Sequence, residues 1–324
     1  MKVLVTGADG LLGSNLVRNL LLKEFEVRVL LHPSSKSKTL NGLKVNKFTG
    51  DILEIDSLQP ALKNCDVVFH AAASTSVWPA RSKKIRAINI EGTRNMVDAS
   101  ITNNVKRFIY IGSASAVSNA IKEDLETGKI TNKFDLDYIE SKQQAMKLVM
   151  NASEENKLNA TTILPTFMIG AYDSQPSSGK MILSAAKGNV KFSSSGGKNF
   201  VHVKDVAEAA TNAIELGANG KYYIAGNENL SYHDFLIKVS KIVGVSEPWL
   251  KLPDWLIKSA GAIGSAYGNL TQRPPILSYP MACIGCENQF FNINDAVTEL
   301  KMSKTPIDVA IADCYQWFKS EGYC

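Results

Sequence analysis

Short, dense apolar runs alternate with segments of helical period along the first half of this chain. Val3-Leu4-Val5 is the first run, and Ser14 to Leu21 behind it places its apolar residues at helical spacing. Glu26 to His32 and Leu43 to Phe48 predict a second and a third strand, and Ser57 to Lys63 a short helix. Asp66 to His70 is a strongly apolar strand, Arg81 to Thr102 a long helix, and Arg107 to Ile111 the next strand. Asp135 to Met150 then reads as a helix and Thr161 to Leu164 as a strand stopped by Pro165. Apolar strands alternating with amphipathic helices predict an α/β fold, a doubly wound parallel sheet with helices on both faces.

The turn after the first strand carries Gly7, Gly10 and Gly13 in the spacing G-x-x-G-x-x-G, with Leu11 and Leu12 inside it. Strand, glycine turn and helix together form the context of a dinucleotide-phosphate site. Glycines allow a tight turn and a close approach of backbone to a pyrophosphate, and the helix start offers unpaired N–H groups and a positive dipole end.

Beyond Pro165 the pattern loosens. Gly170 to Gly197 is loop-rich around Met181 to Lys187, followed by the strand Phe200 to Val203 and a helix from Asp205. Tyr222 to Ile224 is a further strand, a helix starts at Ser231, and the last third alternates helices with proline-marked turns. We therefore expect a dinucleotide-binding Rossmann-type domain over residues 1–165, with later strands at about 199–225 contributing to it. Residues 166–324 should form mainly a smaller, mixed α/β substrate cap, with the ligand in the cleft between the two.

Composition narrows the class. At 324 residues, with 45% hydrophobic and 21% charged residues, the chain has ordinary globular proportions. A net charge of +5 on scattered basic residues gives no nucleic-acid footprint. No apolar run approaches a membrane span. With the first strand opening at residue 2, we expect no secretory leader and a cytoplasmic protein. The five cysteines are too dispersed for a disulfide scaffold, and Cys283-x-x-Cys286 alone supplies too few ligands for a zinc site, so no metal is expected.

Tyr138 and Lys142 are i,i+4 neighbours on one predicted helix face. A phenol beside an ammonium can exchange a proton with an alcohol or carbonyl while hydride moves to or from a nicotinamide. Ser113 ends the strand Phe108 to Gly112, at the sheet edge where open α/β folds bind ligands, and it could hydrogen-bond the substrate oxygen. Ser115 is an alternative partner. Trp78, Met168, Tyr172 and Met181 fall in loops expected to face the cleft and suggest an apolar or aromatic substrate pocket.

With these residues in place the chain resembles the extended short-chain dehydrogenase/reductases of the NAD-dependent epimerase/dehydratase superfamily. The resemblance rests on Thr6-Gly7-x-x-Gly10-x-x-Gly13, Asp51-Ile52, His70-Ala71-Ala72, Asn89-x-Glu91-Gly92-Thr93, Gly112-Ser113, Tyr138-x-x-x-Lys142 and Pro165-Thr166. It continues through Phe200 to Ala207, Ala296-Val-x-Glu-Leu300 and Trp317-Phe318, essentially the full length. Within the superfamily the chain is most similar to the dihydroflavonol 4-reductase-like and hopanoid-associated group, with 3β-hydroxysteroid dehydrogenases and sugar-nucleotide epimerases as cousins.

The resemblance implies Ser113, Tyr138 and Lys142 as a catalytic triad, with Lys142 lowering the pKa of Tyr138 and holding the cofactor ribose. It also implies Asp51 and Ile52 beside the adenine, Ala71 and Ala72 along the cofactor, and Pro165 near the nicotinamide. Asn89 would be a structural or relay residue, and Asp205 the N-cap of its helix.

The second strand bears on the cofactor. It runs out through His32, Ser34, Lys36 and Lys38 without the carboxylate that holds a ribose 2′-hydroxyl in NAD sites. These side chains suit a 2′-phosphate, so NADP(H) is preferred with NAD(H) as the alternative; His32 stands where the similar reductases commonly carry Arg. The expected function is an NAD(P)H-dependent carbonyl reductase acting on a small-molecule ketone or aldehyde. The alternatives are a nucleotide-sugar epimerase or dehydratase, for whose diphosphate only Lys180 and Lys187 offer nearby charge, and a cofactor-sensing protein without catalysis. The family includes homodimers, so a homodimer is one expectation.

Overall fold

A computed structural model describes residues 1–117, 133–188 and 190–324. Seven parallel strands form the main sheet: β1 (Lys2–Thr6), β2 (Glu26–Leu31), β3 (Asn46–Thr49), β4 (Val67–His70), β5 (Arg107–Ile111), β6 (Ala160–Pro165) and β10 (Tyr222–Ala225). Their order is β10-β6-β5-β4-β1-β2-β3. The winding reverses between β1 and β4, so a crevice opens at their carboxyl ends, where Thr6 lies in register with His70.

The alternation of each strand divides the core. Val3 and Val5 face α1 (Leu11–Leu22) and α7 (Val203–Leu216), packing with Leu16, Leu20, Val206 and Ala210. Leu4 points the other way, with Val68 and Phe108. There it meets α2 (Ile55–Leu62), α4 (Gly92–Thr102) and α5 (Asp137–Glu154) through Leu58, Met96 and Val149. Every residue named on these strands is fully buried, each worth about 1.5–3 kcal/mol of transfer free energy. This is why the strands read as apolar on both faces.

The predicted long helix is α3 (Lys83–Arg86), a turn of π-helix (Ala87–Glu91) and α4 in succession. The wide turn carries Asn89, which is buried. The third strand begins three residues later than expected, at Asn46; Leu43 and Val45 ahead of it pack, partly buried, against the core around α1.

A second sheet gathers β7 (Phe167–Ile169), β11 (Glu228–Ser231) and β13 (Asn288–Gln289) around β9 (Gly197–His202), while β8 (Phe192–Ser193) pairs with β12 (Leu250–Lys251) and α6 (Lys180–Ala186) follows β7. Of the stretch near 199–225, only Tyr222–Ala225 joins the main sheet; Gly197–His202 pairs with β7, β11 and β13. Phe200 of β9 stacks on Phe235 of α8 (Tyr232–Val243), ring centroids 4.0 Å apart, in a separate cluster with Ile311 and Phe318. That aromatic partner lies outside the main sheet, and it draws β9 away.

Asp205 is not an N-cap. Helix α7 starts at Val203, capped by the His202 ring accepting from the Lys204 N–H at 3.0 Å. Asp205 instead accepts from the Thr305 N–H and Oγ1, each at 2.7 Å, tying α7 to a loop a hundred residues away.

One buried polar chain spans the switch point. The Ala72 N–H donates to Thr6 Oγ1 at 3.1 Å, and Thr6 Oγ1 meets His70 Nδ1 at 2.9 Å. His70 Nε2 meets Thr93 Oγ1 at 3.1 Å, and Thr93 Oγ1 donates to the Asn89 carbonyl at 2.7 Å. The donor directions close only if His70 is neutral, accepting at Nδ1 and donating at Nε2. Burial holds its pKa down at about 3. The unfolded chain therefore binds more protons below the ordinary histidine value of 6.5, and stability falls as pH drops from there toward 3. Urea unfolding across this range should show that loss. His70→Gln should be about 1–3 kcal/mol less stable at neutral pH and should lose part of the acid dependence.

Candidate functional site

The glycine turn lies at the crevice mouth. Gly7 has φ of +63°, and a Cβ there would stand 2.8 Å from the Ala72 nitrogen and 2.9 Å from the Ala71 carbonyl oxygen. A Cβ on Gly13 would fall onto the Gly7 carbonyl oxygen. Gly10 caps α1 without a side chain, and the first turn of α1 has no acidic residue, so its N–H groups and positive dipole end are left for an anion. A cavity of about 450 Å³ starts here, lined by Gly7, Gly10, Leu11, Leu12 and Gly13. It runs past Ala71 and Ala72 to Ser113, Tyr138, Lys142, Pro165 and Met168. A glycine turn at a helix start at one end and a titratable cluster at the other fit a dinucleotide laid between them.

At the far end, Ser113 extends β5 beyond Ile111, and its Oγ lies 2.8 Å from Ser115 Oγ. Tyr138 and Lys142 come from the first turns of α5. Lys142 is buried and donates from Nζ to the Ile111 carbonyl at 3.0 Å. Burial without a carboxylate partner pushes its pKa down to about 8. Burial also raises the Tyr138 phenol, opposed by hydrogen bonding from Ser113 and Ser115. The implied lowering of Tyr138 by Lys142 is absent from this geometry: the net direction is upward, and the ammonium is turned to the end of β5.

Asn89 fixes the helix that bears Tyr138. Its amide donates to the Ser74 carbonyl at 3.1 Å and to Ser141 Oγ at 2.9 Å, and Ser141 Oγ donates to the Tyr138 carbonyl at 2.9 Å. Asp137, beside Tyr138, accepts from the Ser82 N–H at 2.5 Å and from Arg81 at 3.0 Å.

A second cavity of about 230 Å³ adjoins the first and shares Thr75, Ser113, Tyr138, Pro165, Thr166 and Phe167 with it. Ser115 lines it too, with Leu136 and Ile139 of the α5 region, Lys198 and Asn199 of β9, and Met281, Ile284 and Phe291. Of this set the sequence pattern singled out Ser115 alone, because the others come from three further, distant stretches. Lys198 lies two residues ahead of the Phe200 to Ala207 match.

Other expected residues lie elsewhere. Trp78 lines neither cavity; its ring packs where a Cβ on Gly268 would stand 2.7 Å away. Tyr172 turns from the cleft, its ring 3.5 Å under the Arg18 guanidinium and 6.0 Å from Trp317. Met181 packs in the cluster around Phe318. In each case a local packing partner captures the apolar ring or chain. Cys283 and Cys286 are free thiols.

At the rim of β2, His32, Lys36 and Lys38 are exposed. The structure brings carboxylates to them that no strand-end pattern reveals. Asp51 Oδ2 lies 3.4 Å from His32 Nε2, and Asp9 of the glycine turn accepts from Ser35 Oγ at 2.5 Å. Ile52 is buried against α4, near Gly92.

The NAD dependent epimerase/dehydratase family model matches residues 3–226, and the chain belongs to this family. It is 28% identical to a Synechocystis sp. protein with a provisional dihydroflavonol 4-reductase name, over 98% of this chain and 95% of that protein. It is also 28% identical to the 3-beta-hydroxysteroid dehydrogenase of Mycolicibacterium neoaurum, over 80% of this chain and 75% of that one. The crystal structure of gox2253 superposes with a TM-score of 0.84 at 30% identity, covering 99% of this chain and 98% of that one. The chain is thus an NAD(P)-binding enzyme of the extended short-chain dehydrogenase/reductase type. Among the described residues no helix is long and apolar enough to cross a membrane.

The glycines separate folding from binding. A Cβ on Gly10 meets only the Gly7 oxygen, at 3.4 Å, so Gly10→Ala should fold with a nearly unchanged melting temperature yet bind dinucleotide more weakly. Gly13→Ala, whose Cβ would also come within 2.7 Å of the Ala8 Cα, should lower the melting temperature itself. Thermal melts and fluorescence titration with NADPH and NADH distinguish the two.

Proposed function

We propose that this enzyme reduces a ketone or aldehyde, with Tyr138 as proton donor, Ser113 orienting the carbonyl oxygen and NADPH as the preferred reductant. One observation carries the reading. Ser113 and Tyr138 line both cavities, so a group lodged in the smaller one meets them at its junction with the larger. The names of the similar reductases and dehydrogenases agree with it.

The glycine turn would hold the pyrophosphate, and Ala71, Ala72 and Pro165 would flank the rest of the dinucleotide. When bound, NADPH supplies the hydride. Ser113 Oγ donates a hydrogen bond to the substrate oxygen as negative charge grows there. Tyr138 delivers the proton to that oxygen and recovers one from solvent, so carbonyl becomes alcohol. With its pKa raised, Tyr138 stays protonated across the neutral range, the form that reduction needs. Lys142 would hold the sugar beside the nicotinamide and be charged below about 8.

Support for NADPH comes from Lys36 and Lys38, exposed at the end of β2 and without an ion-pair carboxylate among the described residues. Asp9 and Asp51 bring opposing charge to the same rim, so the preference should be moderate rather than absolute.

Tyr138→Phe should lower carbonyl-dependent NADPH oxidation by about 10²-fold or more while leaving NADPH affinity nearly unchanged. Retained turnover in that variant would remove the mechanism. Lys36→Glu combined with Lys38→Glu should weaken NADPH binding by about tenfold or more with little effect on NADH. Equal affinities before and after would show that these lysines do not select the cofactor.

A further inference from the structure

The smaller cavity is apolar over most of its wall, with one cation set into it. Lys198 lies on β9, pairing with Leu230 on one side and Gln289 on the other. Its ammonium donates to Gln289 Oε1 at 2.8 Å and stands 5.4 Å from the centre of the Phe167 ring. Both partners are neutral. Among the described residues no carboxylate lies within ion-pair distance, and one protein acceptor serves a group with three donors. The desolvation pushes its pKa down to about 8, so the charge persists at neutral pH without a counter-ion.

Packing alone does not account for this residue. A side chain meant only to fill space against Phe167, Met281 and Ile284 carries no need for a charge, and an aliphatic one avoids the desolvation cost. Lys198 lines the cavity that also holds Ser113 and Tyr138, so an anion on the substrate can complete the donor set.

We propose that Lys198 binds a carboxylate on the substrate, which makes the preferred substrate a carbonyl compound with an apolar body and an acidic group at the end away from the reacting carbon. This assignment rests on the carbonyl-reductase reading for the reacting end, and on the Lys198 environment alone for the acidic end.

The test uses matched probes on the purified enzyme. For turnover these are 4-acetylbenzoate and 4-acetylbenzamide, alike in shape and differing in charge, with NADPH. For binding they are 4-isopropylbenzoate and 4-isopropylbenzamide, which lack a reducible carbonyl, titrated by calorimetry into enzyme saturated with NADP⁺. The wild type should favour the acid of each pair. Lys198→Met should weaken the acid by about 10- to 100-fold, expressed in KM rather than kcat, and leave the amide unchanged. Lys198→Arg should retain most of the preference. Unchanged melting temperatures would exclude unfolding as the cause.

Equal binding of acid and amide by the wild type, or equal loss of both in Lys198→Met, overturns the assignment. A calorimetric preference for the acid that depends on Lys198, with no NADPH oxidation by either ketone, upholds the anion site and instead counts against the reductase reading.

Discussion

The first turn of this protein lies directly against the backbone that follows β4, and that contact exists because residue 7 has no Cβ. A methyl group there would meet the Ala72 nitrogen and the Ala71 carbonyl within 3 Å. Close approach brings the two strands that flank the winding reversal together at their carboxyl ends. It also brings Thr6 under the Ala72 N–H and beside His70, so the polar chain through Thr93 to Asn89 starts from the same contact. Asn89 in turn braces the helix that carries Tyr138. The glycine turn and the cluster around Tyr138 are therefore held by one connected framework rather than by separate loops.

Two ammonium groups, Lys142 buried and Lys198 half-buried, mark where that framework accepts a cost. Lys142 and Lys198 are each desolvated without a carboxylate partner and each have a pKa of about 8. Cores seldom keep such groups when an aliphatic chain would fit, and both of these border cavities. Lys142 is anchored to the end of β5 at the wall of the larger cavity, whereas Lys198 lines the smaller cavity together with Ser113 and Tyr138.

Much of this was legible in sequence, and the reasons are local. Val3-Leu4-Val5 reads as a two-sided buried strand because both faces of a parallel sheet are covered, and the glycine spacing is dictated by backbone contact that any side chain would break. Tyr138 and Lys142 share a helix face by geometry alone, and the structure sets both at the wall of the larger cavity. Trp78 and Tyr172 show the limit. An apolar residue in a loop is equally consistent with a pocket or with packing, and Gly268 in one case and Arg18 in the other decided the matter.

The chain by itself determined the strand pattern, the glycine turn and the pairing of phenol with ammonium, because each follows from a period of 2 or 3.6 or from a forbidden Cβ within a few residues. Tertiary structure alone decided which carboxylates reach the rim of β2, where β9 pairs, and that Lys198 lines the cavity bearing Ser113 and Tyr138. Those outcomes depend on contacts between segments from 19 to 91 residues apart, such as Asp51 on His32, Ser35 on Asp9 and Gln289 on Lys198, and no local periodicity encodes them.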